Sequence, residues 1–350
     1  MEAYEVLQPL AEAIYGRILL CRHIESQALF AVKQVNMAHA TAHTTVTGGH
    51  VVDENVMTEL AVNLELSAAG GHPHICPLEA HFYFDDGRQL ALVFPYCPHK
   101  ELLASLSSAR RFPEHVALRY LGEIAGAVAF LHGQSIAHRD ISLENILLTA
   151  ADTTQLCDFG LATPTTTPST APVGKLLYMA PEVLHAKSYS PMRADMWALG
   201  VALFTMLVGR YPFKVAAPSD GFFATYQRSG LSGLLQAHGA AKLSPATLTL
   251  LTNLLEVAPH RRWTAAQLGS NIAAAPSPMM RDLLRHRPIV ASPEARPVTA
   301  PSLHMSIRSP QVHVPTAAPT ERKKSLSSLL KQHWRRWRPW RRHHAPTSAA

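Results

Sequence analysis

Short apolar runs dominate the first 95 residues of the chain, and one longer stretch among them has helical spacing. Runs at 18–20, 29–32 and 90–94 have the length and composition of β-strands. A helical pattern covers 54–67, and residues 38–50, rich in Ala, Thr, Gly and His, are interpreted as a loose surface insert. The pattern therefore predicts a small β-rich region at the start of the chain.

From residue 96 onward, apolar positions recur mainly at helical spacing. The periodicity predicts helices over 114–133, 195–209, 243–257 and 264–274. Short strands are expected beside the loops that contain Asp140 and Asp158. The longest apolar run, 196–209, has 14 residues, which is too short to span a bilayer and suits a buried helix. From Pro276 onward Pro, Ser, Arg and Ala dominate, so 276–350 is predicted to be a disordered basic tail.

Charge is distributed unevenly along the chain. The formal net charge of +7 combines +11 for 276–350, which has 14 Lys/Arg and three Asp/Glu, with −4 for 1–275. The basic character thus belongs to the tail and does not predict a sequence-specific nucleic-acid-binding fold. The four cysteines lack C-x-x-C spacing and residues 1–20 lack a signal-peptide pattern. A reducing, cytoplasmic location is expected, with the membrane periphery or the nucleus as alternatives through the basic tail.

Three short motifs follow one another in the middle of the chain. Residues 138–145 read H-R-D-I-S-L-E-N, D-F-G follows at 158–160, and A-P-E closes the series at 180–182. This ordered set resembles the catalytic core of a eukaryotic protein kinase, and the resemblance covers about 1–275. The order matters more than any one motif, because a three-residue string alone recurs by chance.

The resemblance implies both a fold and an activity. The expected fold is α+β and bilobal, with a small β-rich N-lobe over 1–95 and a larger helical C-lobe over 96–275. The expected activity is transfer of the γ-phosphoryl group of ATP, with Mg²⁺, to a protein substrate. Residues 138–145, which match the family's catalytic loop, lack the small residues and arginine that follow the aspartate in tyrosine kinases, which favours Ser/Thr specificity.

The charged residues of the motifs receive roles from the same resemblance. Asp140 matches the catalytic carboxylate that accepts the proton of the substrate hydroxyl. Asn145 and Asp158 match the two Mg²⁺ ligands, and their hard oxygen atoms suit that cation. An isolated aspartate in a loop is more often a capping residue, so these assignments depend on the complete set of motifs.

Lys33 ends an A-x-K sequence and resembles the lysine that holds the α- and β-phosphates of ATP. Its partner should be a carboxylate on the following helix. Glu59 is selected because apolar residues three and seven positions later define a consistent helix face. Glu54 and Glu65 are the alternatives, and a solvated helix carboxylate is the simpler interpretation of any of the three.

The loop that should cover the phosphates departs from the family's G-x-G-x-x-G pattern. Ala11, Ala13 and Gly16 occupy the three glycine positions, so only the third glycine is present. Alanine is small enough to let backbone amides approach a phosphate, but it has less freedom at positive φ. We therefore expect weaker or slower ATP binding than a complete glycine loop would give.

Other residues match the adenosine site of the family. The apolar side chains expected to sandwich the adenine are Ile18, Ala31 and Leu147. The backbone of Pro95 and Cys97, in the segment between the lobes, should bind the adenine edge, where proline can still accept through its carbonyl. Glu101 matches a ribose-binding carboxylate, and a charge at a helix N-terminus is an equally good interpretation of it.

A second departure concerns the γ-phosphate. Most Ser/Thr kinases carry a lysine two residues after the catalytic aspartate, where this chain has Ser142. The family also has a threonine after the glycine that precedes A-P-E, where this chain has Lys175 after Gly174. We hypothesise that Lys175 supplies the missing cation from the other side of the site. A solvent-exposed lysine is the alternative.

Regulation is expected from two segments. Arg139 matches the arginine that meets a phosphate on the family's activation segment, which corresponds to 158–182 here, so phosphorylation of Ser169 or Thr170 by an upstream kinase is a candidate switch. An unmodified polar loop is the alternative. In the tail, an amphipathic helix over 322–338 with basic residues and tryptophans would suit an anionic membrane surface or a calmodulin-like protein. A solvated charged terminus is the competing interpretation.

The principal alternative to an enzyme is a pseudokinase that binds nucleotide or acts as a scaffold. Ala11, Ala13 and Ser142 favour this alternative, because each replaces a residue that the family uses at the phosphates. The intact lysine, asparagine and aspartates oppose it, since loss of a metal carboxylate would cost far more than loss of glycine flexibility. A small-molecule kinase is disfavoured by the complete A-P-E segment.

Overall fold

The computed structural model describes residues 1–166 and 168–274, with side chains up to residue 272. The predicted tail, 276–350, and its predicted helix over 322–338 lie outside the described residues. Within the described part, a sheet-rich N-terminal lobe precedes a helical C-terminal lobe, so the expected α+β bilobal fold is confirmed.

The N-lobe is built on one antiparallel sheet of five strands in the order β1-β2-β3-β5-β4. The strands are β1 (Tyr4–Ala13), β2 (Gly16–His23), β3 (Leu29–Asn36), β4 (Ala80–Phe84) and β5 (Gln89–Pro95). Predicted runs lie in β2, β3 and β5, whose buried side chains alternate between two apolar clusters of the N-lobe. The edge strands β1 and β4 have largely exposed or half-buried residues and were not predicted.

Two helices lie between β3 and β4. Helix α1 (Met37–Ala42) occupies the start of the segment interpreted as a loose insert, and the Asn36 side chain caps it. That interpretation is wrong for residues 38–42, because the Asn36 cap and the burial of Ala40 stabilise a short helix. Helix α2 (Val56–Ala68) matches the predicted helix within two residues, and Asn55 caps it with a 2.8 Å bond from the amide of Met57.

The C-lobe surrounds a buried central helix. Its helices are α3 (Leu102–Ala109), α4 (Glu114–Gly133), α5 (Pro181–His185), α6 (Pro191–Val208), α7 (Gly221–Ala237), α8 (Pro245–Leu254) and α9 (Ala265–Ala274). Helix α6 is long and apolar enough to cross a bilayer, but 78% of that stretch is buried inside the protein. It therefore serves as the core helix that its apolar run predicts, with α4 and α8 packed against it.

Short strands hold the loops of the functional cleft. Strand β6 (Ile136–Ala137) pairs with β9 (Thr163–Pro164), and β7 (Ile146–Leu148) pairs with β8 (Thr154–Leu156). The loop with Asp140 connects β6 to β7, and the loop with Asp158 connects β8 to β9. These two pairs of strands bring both aspartate loops to the same side of the C-lobe.

Candidate active site

Asp195 fixes the backbone of the catalytic loop. It is a buried residue near the start of α6, and its carboxylate accepts hydrogen bonds from the amides of His138 at 2.9 Å and Arg139 at 2.8 Å. The ring of His132 lies 2.9 Å from the same carboxylate. Arg139 has a φ of +64°, an unfavourable value for a side chain other than glycine, so these bonds hold the loop in a strained conformation.

His138 joins the two aspartate loops. Its buried ring accepts a hydrogen bond from the Asp140 amide at Nδ1 (3.2 Å), and its Nε2 lies 3.1 Å from the carbonyl of Cys157. A carbonyl can only accept, so Nε2 carries the proton and Nδ1 is the acceptor. One imidazole therefore sets the position of Asp140 relative to the strand that precedes Asp158.

The carboxylate of Asp140 is the centre of a polar cluster. Its Oδ2 accepts from the Asn145 amide nitrogen at 2.7 Å and from Lys175 Nζ at 2.6 Å. Its Oδ1 accepts from the Lys175 backbone amide at 3.1 Å, and Lys175 Nζ lies 3.0 Å from the buried Ser142 hydroxyl. The structure thus places Lys175 Nζ between the Asp140 carboxylate and the Ser142 hydroxyl.

Gly174 makes this approach of Lys175 possible. Its φ is +100°, and a Cβ atom there would lie 2.4 Å from the carbonyl oxygen of Arg139. Only glycine fits both the conformation and the space. Burial acts to lower the pKa of Lys175, but the charge and hydrogen bond of Asp140, together with the charges of Glu144 and Asp158, raise it overall, so the lysine is charged at neutral pH.

Lys33 and Glu59 form the second charged element. Lys33 Nζ lies 2.6 Å from Glu59 Oε2, and Glu59 is on the buried face of α2, whereas Glu54 lies before the helix and Glu65 is exposed. Burial opposes the charge on Lys33, but Glu59 and then Asp158 raise its pKa, so the lysine stays protonated. The carboxylate that forms the ion pair with Lys33 is therefore that of Glu59, and not that of Glu54 or Glu65.

Asp158 lies directly after β8 and also has a positive φ, +68°. Its Oδ1 accepts from the Gly160 amide at 3.3 Å. Burial acts to raise the pKa of Asp158, but the charge of Lys33 and the Gly160 hydrogen bond lower it overall.

The Asn55 amide, at the start of α2, donates to the Gly160 carbonyl at 2.9 Å. Asn55 was not predicted as part of the site, although an asparagine before an apolar helix is a recognisable capping signal.

The residues predicted for the adenine site lie on both lobes. Ile18 and Ala31 are on the neighbouring strands β2 and β3, while Leu147 is in β7 of the C-lobe. Pro95 ends β5, and Cys97 follows it as a buried thiol whose pKa burial raises to about 11.

Glu101 lies at the junction between the segment that joins the lobes and α3. It is the N-cap residue of α3 and pairs with Leu147 in an isolated bridge. Its exposed side chain makes no capping hydrogen bond to α3. The structure thus places the Glu101 carboxylate at a helix N-terminus, as the alternative interpretation expects, and its ribose role stays a prediction.

The expected phosphate loop is a tight β-hairpin. Ala11 pairs with Ile18, and Ala13 pairs with Gly16, so the ladder of β1 and β2 continues to the two-residue turn. At Gly16 a Cβ atom would fall 2.1 Å from the carbonyl oxygen of Gln34 on β3. Close backbone contact therefore requires the third glycine, and the two alanines are compatible with strand conformation.

Part of the activation segment is ordered against the catalytic loop. Arg139 donates to the Ser169 hydroxyl at 3.2 Å and to the Leu161 carbonyl at 2.6 Å. Ser169 also forms an antiparallel bridge with Tyr189. Of the two predicted phosphorylation sites, Ser169 is thus the one in contact with Arg139. Thr167, in the same segment, lies outside the described residues.

A two-lobed fold with a charged Lys–Glu pair, two loop aspartates and an asparagine at one cleft defines a class of phosphotransferases. A family model described as a protein kinase domain matches residues 4–271. The chain belongs to the eukaryotic protein kinase family.

The chain is similar in sequence to proteins named as Ser/Thr kinases. It is 32% identical over 272 residues to serine/threonine-protein kinase SAPK2 of Oryza sativa subsp. indica, which covers 77% of this chain and 75% of that protein. It is 31% identical over 281 residues to serine/threonine-protein kinase SRK2C of Arabidopsis thaliana, with 77% and 74% covered. These similarities support the Ser/Thr branch of the family.

Proposed function

We propose that this chain is an active Ser/Thr protein kinase that transfers the γ-phosphoryl group of ATP to protein hydroxyls. The observation that carries the proposal is the 2.6 Å ion pair between Lys33 and Glu59. Lys33 is also close enough to Asp158 for its charge to lower the pKa of that carboxyl group. In this assignment Lys33 holds the α- and β-phosphates. Asp140 orients the substrate hydroxyl and accepts its proton.

Asn145 and Asp158 are the residues that would hold Mg²⁺. Because the Asn145 amide nitrogen donates to Asp140, its oxygen is the end left for a cation, and both residues then offer hard oxygen ligands. The lowered pKa of Asp158 keeps its carboxylate ionised at neutral pH. When bound, Mg²⁺ neutralises charge on the phosphates of ATP.

ATP would occupy the cleft between the lobes. The adenine would lie between Ile18 and Ala31 above and Leu147 below, with its edge on the backbone of Pro95 and Cys97. The ribose would lie near Glu101. The hairpin at 11–16 would cover the phosphates through its backbone amides, whose number does not depend on the replacement of two glycines by alanine.

Lys175 is assigned to the γ-phosphate. Its Nζ lies 3.0 Å from the Ser142 hydroxyl, where the family has a lysine side chain, and 2.6 Å from Asp140. A cation at this place would stabilise charge that develops on the transferred phosphoryl group. The chain would then retain the positive charge of the site while supplying it from the activation segment.

Partners and location follow from the same reasoning. The substrate is a protein, and an upstream kinase would act on Ser169 or Thr170, near Arg139. The basic tail would direct a cytoplasmic enzyme to an anionic membrane surface, or it would bind a calmodulin-like protein. A nuclear location is the alternative for such a basic segment.

The direct test is Mg²⁺-dependent transfer of ³²P from ATP to a generic basic protein. We expect Asp140→Asn to lower transfer roughly 10²- to 10⁴-fold, because the proton acceptor is lost. Asp86→Asn, a change at a fully exposed turn, is the matched control and should leave transfer unchanged. Phosphoamino-acid analysis of the product then tests Ser/Thr specificity.

The same experiment separates the enzyme from the pseudokinase alternative, which Ala11, Ala13 and Ser142 favour. A pseudokinase would bind ATP but give no transfer, even after treatment with an activating kinase. Transfer that is equal in the wild type and in Asp140→Asn would point to a contaminating enzyme and would also contradict the proposal.

A further inference from the structure

The hairpin between β1 and β2 carries an aromatic side chain that has no part in the roles assigned above. Tyr15 lies in the two-residue turn between Ala13 and Gly16, where side chains usually face solvent, yet only 3% of it is exposed. It packs in the N-lobe core with Val56 and Leu60 of α2. The tip of the hairpin is therefore turned inward against the helix.

The phenol of Tyr15 makes a directed contact in addition to this packing. Its hydroxyl donates a hydrogen bond to the backbone carbonyl of Glu54, 39 residues later in the chain. Burial, followed by the charge of Glu54, raises the pKa of Tyr15 to about 12. The hydroxyl keeps its proton at neutral pH and remains a donor.

Backbone hydrogen bonds hold the same turn from two other sides. The amide of Asn36, at the end of β3, donates to the Tyr15 carbonyl at 2.8 Å. The amide of Val46, in the segment between α1 and α2, donates to the Ile14 carbonyl at 3.1 Å. With Gly16 also in close contact with β3, the hairpin has a defined seat on the N-lobe.

The carbonyl that accepts from Tyr15 adjoins two parts of the proposed catalytic site. Glu54 directly precedes Asn55, which caps α2, the helix that carries Glu59. The amide of Asn55 also donates to Gly160, in the loop that contains Asp158. One hydroxyl thus connects the hairpin to the junction between the Lys33 partner and the metal-binding loop.

We propose that Tyr15 is a positioning residue that holds the hairpin on α2 and so fixes the hairpin's backbone amides over the phosphates of bound ATP. The inference rests on the proposed function for the identity of the ligand. Tyr15 acts through the Glu54 carbonyl and does not touch the reacting atoms. Amides of the hairpin would contact phosphates in both the ground state and the transition state. Loss of the anchor should therefore weaken nucleotide binding more than it slows transfer.

The test compares Tyr15→Phe with Tyr226→Phe in the full chain. Tyr226 is the matched control, since it is a buried tyrosine in α7 whose hydroxyl donates to a backbone carbonyl, that of Leu255, at 2.7 Å. Both changes remove one phenol hydroxyl and retain the ring. Calorimetry gives the dissociation constant for MgATP, and hydrogen exchange of the nucleotide-free chain gives the protection of amides over 11–18.

We expect Tyr15→Phe to raise the dissociation constant for MgATP by roughly 3- to 10-fold, the range for loss of one hydrogen bond. It should also speed exchange over 11–18, with a smaller effect on the turnover number. Tyr226→Phe should lower the unfolding midpoint about as much as Tyr15→Phe does. It should leave MgATP binding and the hydrogen exchange of residues 11–18 unchanged.

Equal MgATP affinities for the wild type and Tyr15→Phe would overturn the inference. So would a loss of affinity that Tyr226→Phe reproduces, because the effect would then follow general stability. A wild-type chain that binds MgATP but transfers no phosphate would contradict the proposed kinase activity instead. The affinity of Tyr15→Phe would still decide the role of the tyrosine.

Discussion

At the scale of single residues, the contact between Lys175 and Asp140 leads to a prediction that can be tested by moving the lysine from position 175 to position 142. We expect Lys175→Met to lower phosphoryl transfer roughly 10²- to 10³-fold, the cost of removing one group that stabilises transition-state charge. The double variant Ser142→Lys with Lys175→Thr should recover most of that loss. It returns the cation to the catalytic loop, where Lys175 Nζ already lies 3.0 Å from Ser142. The measurement is the turnover number at saturating ATP.

Lys187→Met is the control for the Lys175 prediction, because Lys187 is an exposed lysine that follows α5. It should leave turnover unchanged. If Lys175→Met also leaves turnover unchanged, the charge on Lys175 has no catalytic part. If the double variant stays as slow as the single one, Lys175 acts by ordering the segment around Gly174 and not as a cation.

The sequence predicted several of these residues but not all of their contacts. Lys175 could be singled out because two departures from one motif set pointed to a displaced charge. Tyr15 could not, since a tyrosine at a hairpin tip is usually exposed and its partner Glu54 is 39 residues away. Pairing over such distances follows from tertiary packing, which a local pattern does not contain.

At the scale of elements, the pair between Arg262 and Glu182 joins the start of α5 to the segment before α9. Arg262 is fully buried, and its guanidinium binds both carboxylate oxygens of Glu182, at 2.6 and 3.0 Å. We expect Arg262→Met to lower the free energy of unfolding by about 3–5 kcal/mol, because a buried carboxylate loses its partner. Urea denaturation followed by tryptophan fluorescence measures this change.

Arg261→Met provides a neighbour with the same charge and a different environment. Arg261 is largely exposed and contacts Glu256 at 3.0 Å, a surface pair that contributes about 0–1 kcal/mol. It should hardly change the unfolding free energy. Similar losses in both variants would mean that Arg262 contributes no more than an exposed ion pair.

Elements were predictable where one pattern ran over many residues. The helices over 114–133 and 264–274 match α4 and α9 closely, since their apolar faces are long and regular. Helix α7 was missed because Gly230 interrupts it with a non-helical φ of +63° and few of its residues are buried. Helix α3 was missed because it is short and serine-rich.

At the scale of the whole molecule, the lobes are joined by contacts that the site depends on. The loop after α2 runs beside β8, where the Cys76 amide donates to Leu156 and the Leu156 amide donates to His74, both at 2.9 Å. Together with the bond from Asn55 to Gly160, these contacts tie the N-lobe helix to the Asp158 loop. The lobes therefore approach each other through backbone hydrogen bonds next to the proposed metal ligands.

Charge divides the molecule differently, and this division predicts how the full chain binds membranes. Residues 1–275 have a net charge of −4, and 276–350 have +11. Each lysine or arginine near an anionic surface contributes about 1 kcal/mol. We expect the full chain to cosediment with phosphatidylserine vesicles at low salt and to be released as salt is raised. A chain of residues 1–275, which retains the whole region matched by the kinase model, should stay in solution.

Tryptophans decide whether this attraction is more than electrostatic. Replacing Trp334, Trp337 and Trp340 with alanine keeps the charge of the tail, so binding that persists in this variant would be due to charge alone. Binding that weakens at constant salt would indicate that the rings enter the interface, as in an amphipathic anchor. Equal sedimentation of the full chain and residues 1–275 would contradict a membrane role for the tail. Calcium-dependent binding of the full chain to calmodulin, measured separately, would then support the alternative partner.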